Sequence, residues 1–213
     1  MARLAPIRPD NRLRRRAGSR PPRSITLIVC EGETELDYFK ALRSKLGLLP
    51  AEIVVADNTH GSAPISVVAY SERKAREQGG YDHIFCVFDR DAHESFDRAR
   101  DRIRKLASKK RGALPIQEIV SVPCFEIWVL LHFAPTERPF ADCSAVISFI
   151  RDHHLPAYAK TSPRMAGILV ERLDAALASA AWLAQRAGEN DRNPFTDVHR
   201  LVEHMKAVAA SDQ

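Results

Sequence analysis

What this chain has little of already narrows its possibilities. Aromatic residues make up only 7% of its 213 positions, so aliphatic side chains must supply most of the burial. No apolar run approaches the ~20 residues that a helix needs to cross a bilayer, and no membrane partner is expected. The N-terminus has no apolar h-region, so it does not read as a secretory signal. The four cysteines, Cys30, Cys86, Cys124 and Cys143, include no CxxC pair. Three lie in or beside apolar runs, and the expectation is buried free thiols in a reducing cytoplasm, in place of zinc ligands or disulfides. Nor do His153-His154 and His199/His204 have the partner spacing of a metal site, so they read as structural or exposed. A Gly-x-x-x-x-Gly-Lys loop is absent, which excludes nucleotide hydrolysis by that route.

Charge is present but unevenly placed. The formal net charge is +5. Residues 1–23 carry eight arginines, among them Arg12, Arg14, Arg15 and Arg16, against the single acid Asp10, a charge of +7. The rest of the chain is left with −2. This segment also holds Pro6, Pro9, Pro21 and Pro22 and no periodic apolar face, so it reads as a disordered, Arg-rich arm. Its arginines suit phosphate contacts, and equally a solvated tail or a partner-binding segment.

From residue 24 the pattern alternates. Apolar runs at 25–30, 52–56, 83–89 and 115–121 read as strands. Between them, helices are expected over 33–46, 64–78 and 92–109, with a short apolar helix over 125–133. Gly47 and Gly79-Gly80 stop the first two, and Pro64 suits a first helical turn. This βαβα order predicts an α/β fold of Rossmann-like type, a mostly parallel sheet with helices on both faces. After Pro139 the pattern is helical only, with segments expected over 142–153, 162–187 and 196–209. The expected organisation is an arm at 1–23, an α/β core at 24–135 and a helical annex at 136–213 packed on the core.

The chemistry is concentrated where strands end. The run His83-Ile84-Phe85-Cys86-Val87-Phe88 leads directly into Asp89 and Asp91, and the run Ile25–Val29 leads to Glu31-Gly32. Open parallel sheets place their ligands at the carboxyl ends of strands. Carboxylates gathered there repel one another unless a divalent cation neutralises them, and oxygen donors suit Mg²⁺ or Mn²⁺. Asp89 and Asp91 are the natural ligands, with Glu31 as ligand or general acid/base. Arg90 and His93 are candidate phosphate contacts. The competing structural reading makes Asp91 a helix N-cap and Glu31 a partner for free helix N–H groups. For Glu35 and Asp37, that helix-terminus reading is the one adopted.

Glu-Gly after the first strand and Asp-x-Asp after the third resemble the Toprim domain of topoisomerases, primases and overcoming-lysogenization-defect nucleases. More specifically, four blocks resemble the RloB-like family across about residues 24 to 205. They are Ile28–Glu35 with Tyr38-Phe39, Val87–Asp91, Pro123–Phe133, and Asn193–His199. The resemblance implies a Toprim fold with a divalent-metal site in which Glu31, Asp89 and Asp91 are the metal-binding and catalytic acids. It also implies a restriction-modification or phage-defence setting, commonly beside an AAA-type ATPase. Nuclease activity is inherited from the wider Toprim group. Glu126, in the Pro-Cys-Phe-Glu block, is either a buried acid turned towards the metal or a helix N-terminal charge, and the first is taken forward as a supporting catalytic role.

Rival chemistries fit less well. The chain is too short for a topoisomerase strand-passage module. Haloacid-dehalogenase phosphatases place Asp-x-Asp after their first strand, with Thr or Val two residues beyond, where this chain has His93. Metal-dependent glycosyltransferases lack the preceding Glu-Gly. The expectation is a Mg²⁺- or Mn²⁺-dependent nuclease acting on DNA or RNA under an ATPase partner. The alternative is a metal-stabilised subunit that binds nucleic acid or a partner without cutting.

Overall fold

The structure is a computed structural model that describes residues 24–48, 51–56, 63–90, 94–186 and 192–211. The Arg-rich arm with Arg12, Arg14, Arg15 and Arg16 lies outside the described residues, as do Asp91 and His93.

Five strands form one sheet in the order β2-β1-β3-β4-β5: β1 is Thr26–Cys30, β2 Ala51–Val55, β3 His83–Asp89, β4 Ile116–Val122 and β5 Phe195–Thr196. All pairs are parallel except β4 with β5. The helices are α1 (Glu33–Leu46), α2 (Pro64–Gln78), α3 (Phe96–Ala107), α4 (Glu126–Leu131), α5 (Cys143–His153), α6 (Pro163–Glu171), α7 (Leu173–Arg186) and α8 (Val198–Ser211). The predicted mixed α/β class is therefore the observed one.

Strand side chains alternate between two apolar layers, as the period of two requires. Leu27, Val29, Ile84, Cys86, Phe88 and Val120 pack against Val67 and Val68 of α2 and Ala99 and Ile103 of α3. Ile28, Cys30, Ile53, Phe85, Val87 and Ile119 face the other way, towards α1 and the later helices. All five residues of β1 are buried, which explains its uninterrupted apolar run. Gly47 takes φ 66° at the end of α1, where its N–H reaches back to the Arg43 and Ser44 carbonyls.

The order of strands fixes where a ligand can sit. From β1 the chain steps outward to β2, then crosses back to β3 on the other side of β1. That reversal leaves a crevice at the carboxyl ends of β1 and β3, the topological switch point of the sheet.

Beyond α4 the structure departs from the sequence reading in two places. The single helix expected over 162–187 is two, α6 and α7, broken at Arg172. Arg172 donates from Nε to the His132 carbonyl at 3.0 Å, and its guanidinium lies 4.9 Å from the centre of the Phe133 ring. The last helix begins at Val198, because Phe195 and Thr196 form β5 and add an antiparallel edge to the sheet. Thr196 Oγ1 and Ser121 Oγ lie 2.9 Å apart in that pairing. Just before it, the Asn193 side chain makes two bonds to the backbone of Phe140. The Asn-Pro-Phe-Thr block thus ties the later helices to the sheet.

The largest side chains meet between α1 and α4. The Tyr38 ring has edge contacts with Phe39, Phe125, Trp128 and His132. Its hydroxyl lies 3.2 Å from His132 Nε2, while His132 Nδ1 lies 2.8 Å from the Trp128 carbonyl. Trp128 is fully buried. Trp128→Ala should therefore destabilise the fold by about 3–5 kcal/mol, the cost of emptying a large aromatic site. Urea unfolding followed by circular dichroism should show the lower midpoint.

Candidate acidic site at the sheet switch point

Glu31 is the first residue after β1, and Asp89 is the last of β3. The register of the two strands pairs Cys30 with Val87, which brings the next residues side by side. The Glu31 N–H donates to the Val87 carbonyl at 3.0 Å, and the Asp89 N–H donates to Glu31 Oε2 at 3.0 Å. Glu31 thus reaches across the switch point and is held there by the backbone of β3.

Two further acids come to the same place. Glu35, in the first turn of α1, is only 6% exposed. The helix-terminus reading is incomplete for this residue: its carboxylate accepts from its own backbone N–H in the first turn of α1, and it also lies buried beside Glu126, Glu31 and Asp89. An ideal Cβ on Gly32 would approach Glu35 Oε2 to 3.0 Å. Gly32 has an extended backbone, φ −136°, so its value here is the space it leaves for that carboxylate and not a left-handed turn. Glu126, the first residue of α4, is 1% exposed. Its Oε1 accepts from Lys160 Nζ at 3.0 Å and from Tyr158 Oη at 3.3 Å, and its Oε2 lies 3.0 Å from Cys143 Sγ.

The electrostatics follow from burying like charges together. Burial raises Asp89 well above the usual carboxylate range, and Glu35, Glu126 and Glu31 add to the shift, although part of Asp89 still touches solvent. Burial likewise pushes Glu35 up to about 7, with Glu126 and Glu31 contributing. Lys160 opposes both shifts. Burial acts to lower its own pKa, but Glu126, Asp89 and Glu35 together outweigh it and the net shift is upward.

Arg90 bonds through its backbone N–H to the Ser121 carbonyl, and its guanidinium sits 5.6 Å from the centre of the Phe96 ring. Asp91 and His93 belong to the adjacent loop outside the described residues. Glu35, Tyr158 and Lys160 are the members that sequence reasoning missed. Glu35 is obscured by its position in an acidic first turn. Lys160 lies 34 residues beyond Glu126 in the chain, and a lone lysine in a loop carries no local signal.

The cysteine expectation is half overturned. Cys30 and Cys86 are buried free thiols, but Cys124 and Cys143 form a disulfide. They stand 19 residues apart, and the packing of α5 beside α4 brings their Cα atoms to 5.6 Å, within bridging range. Cys124, Glu126 and Cys143 also offer donor atoms within 4.8 Å of one another, a group that could hold a metal ion. Bonded to each other, the two sulfurs are not thiolate donors. Among the described residues no other three such donors come that close, so the strand-edge carboxylates are spaced more widely.

The fold and this cluster define an open α/β protein with an acidic site at its switch point. Residues 26–205 match the family described as RloB-like protein, and the chain belongs to that family. No curated protein and no solved structure matches it.

The Glu35 shift has a consequence for stability. Its carboxyl binds a proton more tightly in the folded chain, near 7, than at the ordinary 4.5. The stabilisation is complete below about 4.5 and is lost as pH rises through 7. Glu35→Gln, which cannot ionise, should match the parent near pH 5 in metal-free buffer. By pH 8 it should be the more stable, by on the order of 2 kcal/mol. Thermal melts across that range measure the crossover.

Proposed function

We propose that this RloB-like protein is a Toprim-type, Mg²⁺- or Mn²⁺-dependent phosphodiesterase that cleaves DNA or RNA. Its setting is phage defence, under the control of an AAA-type ATPase partner. The observation that carries this reading is the convergence of Glu31, Glu35, Asp89 and Glu126 on one strand edge, where Asp89 and Glu35 stay raised although Lys160 opposes the shift. Such a set suits a hard divalent cation, which favours oxygen donors and offsets the burial and repulsion that together raise Asp89 and Glu35.

Asp89, Glu31 and Asp91 would hold the cation. When bound, it would supply Lewis-acid activation of a phosphodiester and a lowered pKa for an attacking water. The remaining work falls to the protein's own groups. Glu31 comes from a different strand than Asp89, so it approaches the reacting phosphate from another side and can move a proton at its Oε atoms. The Asp89 N–H bond to Glu31 Oε2 fixes that carboxylate before substrate arrives. Glu126 lines the inner wall of the site, and its bonds to Tyr158 and Lys160 hold its orientation. Arg90, His93 and the arm arginines Arg12, Arg14, Arg15 and Arg16 are proposed nucleic-acid contacts.

Plasmid, single-stranded DNA and tRNA, each incubated with pure protein in Mg²⁺, Mn²⁺ or EDTA, test the activity. Cleavage should require the cation. Asp89→Asn should remove the Mn²⁺-induced rise in melting temperature, because a ligand bound only to the folded state stabilises it. Glu31→Gln should leave nucleic-acid binding near the parent level while cleavage falls by at least about 100-fold. Cation-dependent binding without any cleavage would favour a non-catalytic subunit instead.

The arm should add affinity and not specificity. Deleting residues 1–23 should weaken nucleic-acid binding and flatten its dependence on salt, by about one log–log unit for every phosphate the arm neutralises. Filter binding across a range of salt concentrations reads that slope.

A further inference from the structure

Lys160 stands out because it is a cation placed among the acids of the site. It belongs to the segment between α5 and α6, far in sequence from every acid it opposes. Its Nζ is 3.0 Å from Glu126 Oε1, and it also interacts electrostatically with Asp89 and Glu35. Glu126 is 1% exposed, whereas the Lys160 side chain keeps 47% of its surface in solvent. The lysine therefore stands at the edge of the cluster, its ammonium on a buried acid and much of its side chain open to solvent.

The segment that carries it is held at several points. Arg151 Nε donates to the Tyr158 carbonyl at 2.9 Å, and the Thr161 N–H donates to Thr34 Oγ1 at 3.2 Å. Thr161 adopts φ 54°, the one positive φ at a non-glycine position among the described residues. A β-branched residue persists in that conformation only where its surroundings impose it. The backbone on both sides of Lys160 is thus fixed, while its side chain is long and flexible at the tip.

We propose that Lys160 is a phosphate-binding catalytic residue that serves as the resident counter-ion of the acidic cluster until a divalent cation and a phosphodiester take their places. This rests on the phosphodiesterase reading for the class of ligand. In the cation-free protein, Lys160 offsets part of the charge on Glu126, Asp89 and Glu35. A divalent cation at the strand edge supplies that balance and competes with the ammonium for the same field. The freed ammonium then faces the entrance, where the non-bridging oxygens of a phosphodiester would lie, and donates hydrogen bonds to them. No covalent step involves the lysine.

A purely structural ion pair and this proposal predict different things for Lys160→Met. Loss of a structural pair would weaken cation binding and substrate binding together. The proposal predicts opposite signs. Mn²⁺ should bind several-fold more tightly, measured by calorimetry, because a competing positive charge is gone. Inorganic phosphate should bind the Mn²⁺-loaded protein at least tenfold more weakly, read from ³¹P line broadening. Where nucleic acid is cleaved, kcat should fall by at least 100-fold, with Lys160→Arg recovering part of the loss.

Removing the lysine leaves Glu126 buried without its cation, which can prevent folding. Lys160→Met/Glu126→Gln removes that burden, and it should fold and show the same loss of phosphate. Parent-like phosphate binding by either folded variant overturns the proposal, as does a parent protein that binds Mn²⁺ but no phosphate. A parent that binds both and cuts nothing sinks the nuclease reading, while the phosphate comparison still decides the role of Lys160.

Discussion

Burial of several carboxylates together at the end of β1 and β3 is the constraint around which the rest of this structure is arranged. Glu31, Glu35, Asp89 and Glu126 arrive from two strands and two helices. Their proximity and burial raise Asp89 and Glu35 and would expel an unsupported acid to solvent. They stay because other groups hold them. The backbone of Asp89 holds Glu31, and Lys160 and Tyr158 hold Glu126. A site that keeps unfavourable charge in place by means of its surroundings is a common signature of function, since stability alone would not favour it.

Those surroundings come largely from the later helices. Tyr158 and Lys160 lie beyond α5, and the Cys124–Cys143 disulfide fastens α5 beside the start of α4. β5 joins the sheet at Ser121 and Val122, directly before the turn into α4. One apolar cluster runs from Ile28 and Phe85 of the sheet through Trp128 to Leu169, Leu183 and Val202 of the later helices. The packing that buries the aromatic side chains is therefore continuous with the packing that delivers a cation to the acids. Disturbing the first should be felt in the second, because a densely packed interior transmits displacement.

The RloB-like sequence blocks acquire distinct physical roles in this light. Glu31-Gly32 supplies an acid and a residue small enough to leave room for the Glu35 carboxylate. Pro123–Phe133 supplies Glu126 together with Trp128 and His132 of the aromatic cluster. The Asn-Pro-Phe-Thr block carries no acid of the site; through Asn193 and Thr196 it clamps the Phe140 backbone and the β4 edge. Family-wide patterning of this kind mixes chemistry with architecture, and only the three-dimensional arrangement separates them.

Periodicity by itself determined the sheet class, the bounds of α1 and α2, and the placement of Glu31 and Asp89 at strand ends. Each of these rests on local forces: alternating or continuous burial along a strand, an apolar stripe along a helix, and glycine at a helix end. Tertiary structure alone decided the break at Arg172, the two-residue strand β5, the disulfide and the membership of Glu35, Tyr158 and Lys160 in the site. Glu35 shows the reason most clearly. In sequence it is one of several acids in a first helical turn, where the helix dipole is explanation enough. Whether such an acid faces water or a neighbouring strand depends on how the helix is rotated against the sheet. That rotation is set by Leu36, Phe39 and Leu42 packing into a core assembled from residues far away along the chain. Long-range packing leaves no trace in a local window, so the acids on their own strands could be read from the sequence and the groups that hold them could not.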